Sequence, residues 1–354
     1  MVATDLFRLY HLTKGSYVRL NNGLHLRYGP VVRVGPMELS YIDPTAWKEI
    51  YGQNRIELRK DPHFFGRTPN GVDHIGTANR ADHSRMRSIF VHAFSDRALR
   101  KQESLIRDYA TQMIRQMQKL IDKTGHVNVL DMYNFAAFDI MATLTFGEPL
   151  GLLETTAYTP WVRALFQSLK FMAIRGALLK IPVVGQLLHL FTDRSLKKQF
   201  QVHFDYSRKK FGQLLAQGDI DRADIWSFVL NQKSRDLTLD EMHSNGFGFI
   251  IGGGETTSTT LSALIYLLIR HPPVMKKLTD ELQQAGVGPE TSWTTLARLE
   301  YLNACITETL RIYPPAAAGL PRITAPGGSQ ICGNVVPEGV RTMRLYTWDL
   351  EESG

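Results

Sequence analysis

Apolar positions recur in helical rhythm over most of the chain. Ile106, Tyr109, Met113, Met117, Leu120 and Ile121 follow one another at three- and four-residue steps and share one helix face. Ser95 ahead of them is a capping residue and Gly125 behind them a stop, so the spacing predicts one long helix with its stripe in a core. A further helix is predicted from Asp131 to about Phe146, with Gly147 ending it. Asp43-Pro44 starts another, a capping side chain followed by a proline whose missing N–H costs nothing at the first position, and Trp47 and Ile50 then share a face. Before it, Val31 to Val34 and Leu39 to Ile42 read as two short strands around a Gly35-Pro36 turn. Helix signals dominate from residue 43 to residue 313, which predicts a mainly α fold with a small β region.

The stretch from Ser244 to Ile269 has one charged residue, Glu255. Its length allows a membrane span, but a carboxylate at mid-bilayer costs at least ~2.5–3.5 kcal/mol, which favours a buried helix crossing a large core over a single-span membrane protein. Thr238 and Glu241 make a capping box at its start, and His271-Pro272-Pro273 stops it after Arg270. Gly252, Gly253 and Gly254 fall mid-helix, where each costs roughly 1 kcal/mol relative to alanine. Two reasons for them stay open: a flat ligand lying against the helix, or a second helix packed closely on it. Glu255 and Thr256 follow directly, and the Thr256 hydroxyl can bond back to the Gly252 carbonyl and loosen the ladder, the outline of a proton relay. Further on, Glu308 and Arg311 lie three apart on a helix that ends at Pro314-Pro315, spaced for a charge-assisted pair of the kind also common on exposed helices.

Composition adds limits. With 44% hydrophobic and 21% charged residues the chain is globular in type, and its net charge of +7 is scattered. Short basic runs such as Arg208-Lys209-Lys210 read as solvated helix faces, so nucleic-acid binding is not expected. Two cysteines, Cys305 and Cys332, make no disulfide framework or metal-ligand cluster. Met1 to Leu12 carries Asp5, Arg8 and His11 and has no apolar anchor, so a cytoplasmic protein is expected, or one peripheral to the endoplasmic reticulum, with 160–191 as a membrane-contacting stretch. His83 and His92, nine residues apart, would stand about half a turn apart on one helix and cannot share an ion.

The motifs together are more specific than any one of them. Glu308-Thr309-Leu310-Arg311 followed by Tyr313-Pro314-Pro315 resembles the Glu-x-x-Arg helix of the cytochromes P-450, and Gly252-Gly253-Gly254-Glu255-Thr256-Thr257 resembles their oxygen-activating helix. Leu24 to Val34, Asp82 to Arg87 with Phe94-Ser95, and Val336 to Gly339 add to the likeness, which covers about residues 20 to 340 and has a filamentous-fungal flavour. The resemblance implies a haem-dependent monooxygenase that oxidises an apolar small molecule, in fungal secondary metabolism, with an NADPH-dependent reductase as electron donor. It implies that Glu255 and Thr256 deliver protons, that Glu308 and Arg311 form a structural pair, and that Arg87, Arg322 and His83 face the haem propionates, with Gly252 and Gly253 against the cofactor. Substrate contacts are expected from Phe247, Phe249, the 160–191 stretch and Ala316, Ala317 and Ala318 to Gly319, positions equally suited to ordinary core.

One family element is missing. No Phe-x-x-Gly-x-Arg-x-Cys-x-Gly pattern follows Arg311, so the thiolate that would hold the iron has no counterpart here. The expectation is a single P-450 domain over 1–340, incomplete at its C-terminal end, with a non-family tail over 341–354, and weak or no haem binding and no monooxygenation by this chain. A non-catalytic remnant or binding protein is the alternative function.

Overall fold

The computed structural model describes residues 5–52, 58–65, 68–179, 181, 194–216, 224–230 and 237–345. They group into two compact units: Met1–His83, Ala164–His203 and Ala316–Gly354 form the first, Ser84–Arg163 and Phe204–Pro315 the second.

The first unit begins with α1 (Leu6–Thr13), α2 (Tyr17–Tyr28), β1 (Val31–Gly35), β2 (Glu38–Tyr41), α3 (Pro44–Tyr51), β3 (Arg59–Lys60) and α4 (Pro62–Phe65). It ends with β4 (Arg322–Ile323), β5 (Ser329–Ile331), β6 (Asn334–Val336) and β7 (Arg341–Arg344). A five-stranded sheet runs β1-β2-β7-β4-β3, and β5 pairs with β6 in a separate hairpin. The strand β7 lies parallel to β2, with Glu38 opposite Arg341 and Tyr41 opposite Arg344, and antiparallel to β4. Residues 341–344, expected to lie beyond the family-like part, are therefore the middle of the sheet; residues 346–354 lie outside the described residues. Asp43 caps α3 by accepting from the Thr45 N–H, as predicted. Ile50 is buried with Tyr41, Leu58, Ile331, Val336 and Val340, but Trp47 is exposed, so the pair predicted on one face does not enter the core together.

The second unit is helical: α5 (Arg80–Phe90), α6 (Asp96–Thr124), α7 (Val129–Phe146), α8 (Leu152–Thr155), α9 (Pro160–Leu178), α10 (Arg194–Ala216), α11 (Ile225–Leu230), α12 (Leu239–Arg270), α13 (Pro272–Gln284), α14 (Trp293–Leu296) and α15 (Glu300–Ile312). Of these, α5, α9 and α10 contribute residues to both units. Ser95 caps α6 through the Ala98 N–H and Gly125 ends it at φ +79°. The predicted stripe on α6 is only half-buried, and Ile121 is exposed, because this long helix lays one edge on α7 rather than crossing the interior. Asn128 caps α7, not Asp131, which sits in its first turn. α7 is the buried centre, with Met132, Phe138 and Ala142 fully enclosed, and α12 runs along it. The Ser258 hydroxyl on α12 donates to Asn134 Oδ1 on α7 at 2.7 Å, and Asn134 Nδ2 donates to the Tyr158 hydroxyl, which donates to Asp131, so the polar groups between these helices satisfy one another.

Candidate functional site

The helix α12 begins where the sequence placed it. Thr238 accepts from the Glu241 N–H while the Glu241 carboxylate accepts from the Thr238 N–H. Glu241 also takes a charge-assisted bond from Arg85 on α5, a tie that the separate motifs gave no reason to expect. The three glycines then divide. A Cβ at Gly253 would stand 2.4 Å from the Met141 sulfur and one at Gly254 3.0 Å from the Phe138 ring, both on α7, whereas a Cβ at Gly252 would meet nothing within 4 Å. Close helix packing therefore accounts for Gly253 and Gly254, and Gly253, expected against a cofactor, faces Met141. Gly252 alone opens onto free space.

Thr256 is exposed and its hydroxyl donates to the Gly252 carbonyl at 2.6 Å, as expected. The ladder is not opened by it, since α12 is unbroken from Leu239 to Arg270. Thr260 and Ser262 make the same bond to the residue four before them, so this geometry is a general solution for hydroxyls on α12. Glu255 differs from its neighbours: it is partly buried, its carboxylate forms no hydrogen bond with any described residue, and burial pushes that carboxyl above the ordinary range. The two side chains leave the helix about 100° apart, so any proton passed between them needs a bridging group.

Glu308 and Arg311 on α15 form a forked pair, with Arg311 Nε and Nη2 each 2.7 Å from a Glu308 oxygen. The pair is about half exposed, and the Arg311 hydrogen bond holds the Glu308 carboxyl below its usual range. Among the expected propionate donors, Arg87 is exposed on α5 and His83 half-buried one turn before it. His92 lies beyond the end of α5, in a turn. Arg322 on β4 hydrogen-bonds the Leu320 and Pro321 carbonyls and lies over the Tyr51 ring at 5.2 Å. Phe249, half-buried, packs edge-on to Phe90 and near Phe94 and Trp226, and Phe247 is buried near Phe204, so both join an aromatic cluster. Ala318 and Gly319 do line a cavity in the first unit; Ala316 and Ala317 do not. In the 160–191 stretch Val162 and Leu165 are fully buried, so part of its apolar content is core, and residues 182–193 lie outside the described residues. Among the described residues no helix is long and apolar enough to cross a membrane, which removes the single-span alternative built on α12.

A family profile, that of cytochrome P450, matches residues 6–348. The chain belongs to the cytochrome P450 family. Cytochrome P450 monooxygenase efuB of Hormonema carpetanum is 40% identical over 353 residues, spanning 97% of this chain and 70% of the relative. Cytochrome P450 monooxygenase FUM2 of Gibberella moniliformis is 39% identical, spanning 90% and 69%, and cytochrome P450 monooxygenase astA of Talaromyces wortmannii 38%, spanning 95% and 68%. All three come from fungi. The crystal structure of the cytochrome P450DA heme domain superposes with a TM-score of 0.78 at 18% identity, covering 95% of this chain and 74% of that one, which establishes the P450 fold.

That family implies haem, so the residues present must be tested against it. The acid and alcohol of α12 and the basic groups Arg87, Arg322 and His83 are of the right chemistry for a porphyrin with carboxylate arms. The iron ligand is another matter. Cys305 is buried on α15 against Leu268 and Leu278, and burial pushes its thiol up. Cys332 sits in the β5–β6 turn at φ +48°, donates its N–H to Glu49, packs on the Tyr41 cluster, and is likewise pushed up by burial. A metal-binding cysteine needs its thiolate favoured and its sulfur presented; both thiols have the opposite environment. No cluster of His, Cys, Asp or Glu among the described residues is arranged to hold a metal ion. The residues present do not fit the axial ligand of a haem-thiolate centre.

Proposed function

We propose that the chain carries the proton-handling half of a monooxygenase that inserts one oxygen atom into an apolar small molecule of fungal secondary metabolism, haem being the cofactor and an NADPH-dependent reductase the electron source. The observation that carries this reading is Glu255, a partly buried carboxyl whose side chain has no hydrogen-bond partner among the described residues and whose pKa burial raises, next in sequence to Thr256, whose hydroxyl bonds back to the one glycine of the run that faces open space. Burial raises the pKa of a carboxyl by disfavouring its charged form, which suits a group that must hold a proton and give it up. Peripheral membrane contact through 160–191 belongs to the same reading.

On this reading these 354 residues by themselves do not carry out the reaction, because burial disfavours the thiolate of both Cys305 and Cys332. Reconstitution with haem, reduction and exposure to carbon monoxide tests this. The expected result is no thiolate-type band; its appearance would overturn the inactive part of the proposal. If a haem-binding cysteine loop is supplied in cis and the protein then turns over, Glu255→Gln should slow oxidation while leaving the carbon monoxide spectrum unchanged.

A further inference from the structure

Two helices of the second unit meet through faces that the sequence makes apolar, with one ionisable side chain between them. On α10, Phe204, Ser207, Phe211 and Leu214 recur at three- and four-residue steps and are all buried. On α12, His243, Phe247 and Ile250 do the same. Phe204 meets Phe247 with ring centroids 6.2 Å apart, and Phe211 meets the His243 ring edge-on at 5.6 Å. The order of contacts reverses along the two helices, so they cross antiparallel. Trp226 of α11 packs on Phe211 as well, at 4.5 Å.

His243 is 6% exposed, and its Nδ1 has no hydrogen-bond partner among the described residues. A neutral imidazole fits such a place, because one of its two nitrogens is a bare acceptor. A protonated one does not. Both nitrogens then carry a proton, and the Nδ1 N–H would be a buried donor of a charged ring with no acceptor in reach. Burial accordingly lowers the pKa of the ring; Asp240, one turn before it on α12, opposes this and Arg208 on α10 adds to it. Among the described residues no other charged group acts on it, from α10, α11 or α12. Elsewhere α10 is tied by Lys210 to Glu148, a partly exposed pair of the kind that contributes little. The aromatic junction therefore carries most of the attachment.

We propose that His243 is an acid-sensitive latch, holding α10 against the first turns of α12 while its ring is neutral and releasing α10 when the ring is protonated. Released, the ring takes a proton near the ordinary value of 6.5; attached, it does so only at lower pH. The attached form thus holds its full advantage above pH 6.5 and loses it as pH falls below. Between pH 7.5 and 5.5 the opening equilibrium shifts by up to about tenfold. The helix α12 also carries Glu255, but the latch needs neither haem nor turnover and stands or falls apart from the proposed function.

Amide hydrogen exchange of the 354-residue chain tests this, read by mass spectrometry at pH 7.5 and 5.5 and corrected for the intrinsic pH dependence of exchange. On acidification the 204–216 segment should lose up to about tenfold more protection than α7 does. Histidines elsewhere, His74 among them, act on both segments through global stability and cancel in that ratio. His243→Phe, which suits the aromatic junction, and His243→Gln, which keeps a polar side chain, should each remove the excess loss at 204–216. Equal losses in 204–216 and α7 of the unsubstituted chain would overturn the proposal, whatever the variants do. So would an excess loss that persists undiminished in either folded variant.

Discussion

Alanine at each of the three glycines of α12 separates close packing from open space. All three substitutions gain helix propensity, about 1 kcal/mol relative to glycine in a helix interior. At Gly252 nothing lies within 4 Å of the new Cβ, so the gain stands and Gly252→Ala should stabilise by up to about 1 kcal/mol. At Gly254 the Cβ would meet three carbons of the Phe138 ring at 3.0–3.1 Å, and Phe138 is fully buried with no room to retreat. Overpacking of that kind costs about 1–3 kcal/mol, so Gly254→Ala should be destabilising by about 0–2 kcal/mol after the propensity gain. Gly253→Ala falls between, since its clash is with the flexible end of Met141, which can change rotamer. Urea denaturation followed by circular dichroism reads all three midpoints. Adding Phe138→Leu should restore part of what Gly254→Ala loses, a coupling that a cycle of the two mutations measures. Equal stability of the Gly252 and Gly254 variants would refute the division of the run into a packed and an open part.

Three further outcomes follow from the geometry. His74 is mostly buried, its Nδ1 accepts from the Gly76 N–H, and burial followed by nearby Lys60 lowers its pKa to about 4, Asp73 opposing. The unfolded chain binds this proton near pH 6.5 and the folded one does not, so stability should fall as pH drops from 6.5 towards 4, by up to about 3 kcal/mol, and level off below; a His74→Gln protein with the same pH slope would refute this. Asp139, buried on α7, accepts from the Leu150, Leu152 and Leu153 N–H groups at 2.9–3.2 Å, and Asp139→Asn should cost on the order of 2–3 kcal/mol in denaturant midpoint measurements. For Arg85 and Glu241, a double-mutant cycle should give a coupling near 1 kcal/mol that shrinks in high salt, with Glu241→Ala the costlier single change because it also opens the capping box.

The helices were legible where their ends carry chemistry. Thr238 with Glu241, Ser95 with Gly125, and Asp43 with Pro44 each sit where the sequence put a boundary, because a cap is a local interaction between residues a few positions apart. Burial was less legible. The α6 stripe has the period of a core face yet stays half-exposed, and Phe247 and Phe249, readable as pocket or core, meet Phe90, Phe204 and Trp226, which reach them from other segments. The tie from Arg85 to Glu241 depends on residues brought together only by folding. Asp139 did leave a trace, a carboxylate within a helix otherwise mostly apolar, as buried acids that cap a neighbouring element do.

The glycine run shows why a motif can be right about family and only partly right about contact. A close approach to another helix and a close approach to a flat ligand ask for the same residue, so three consecutive glycines cannot say which neighbour each one faces. At 100° per residue they cannot all face the same one. Two of them meet α7, and the third, four residues before Thr256 and accepting its hydroxyl, faces the open side. The acid beside that hydroxyl is raised by burial in the direction a proton donor needs, whereas burial raises Cys305 and Cys332 in the direction that denies an iron ligand. One physical cause, desolvation of the charged form, thus suits Glu255 to the proton-handling role proposed for it and counts against both thiols as iron ligands.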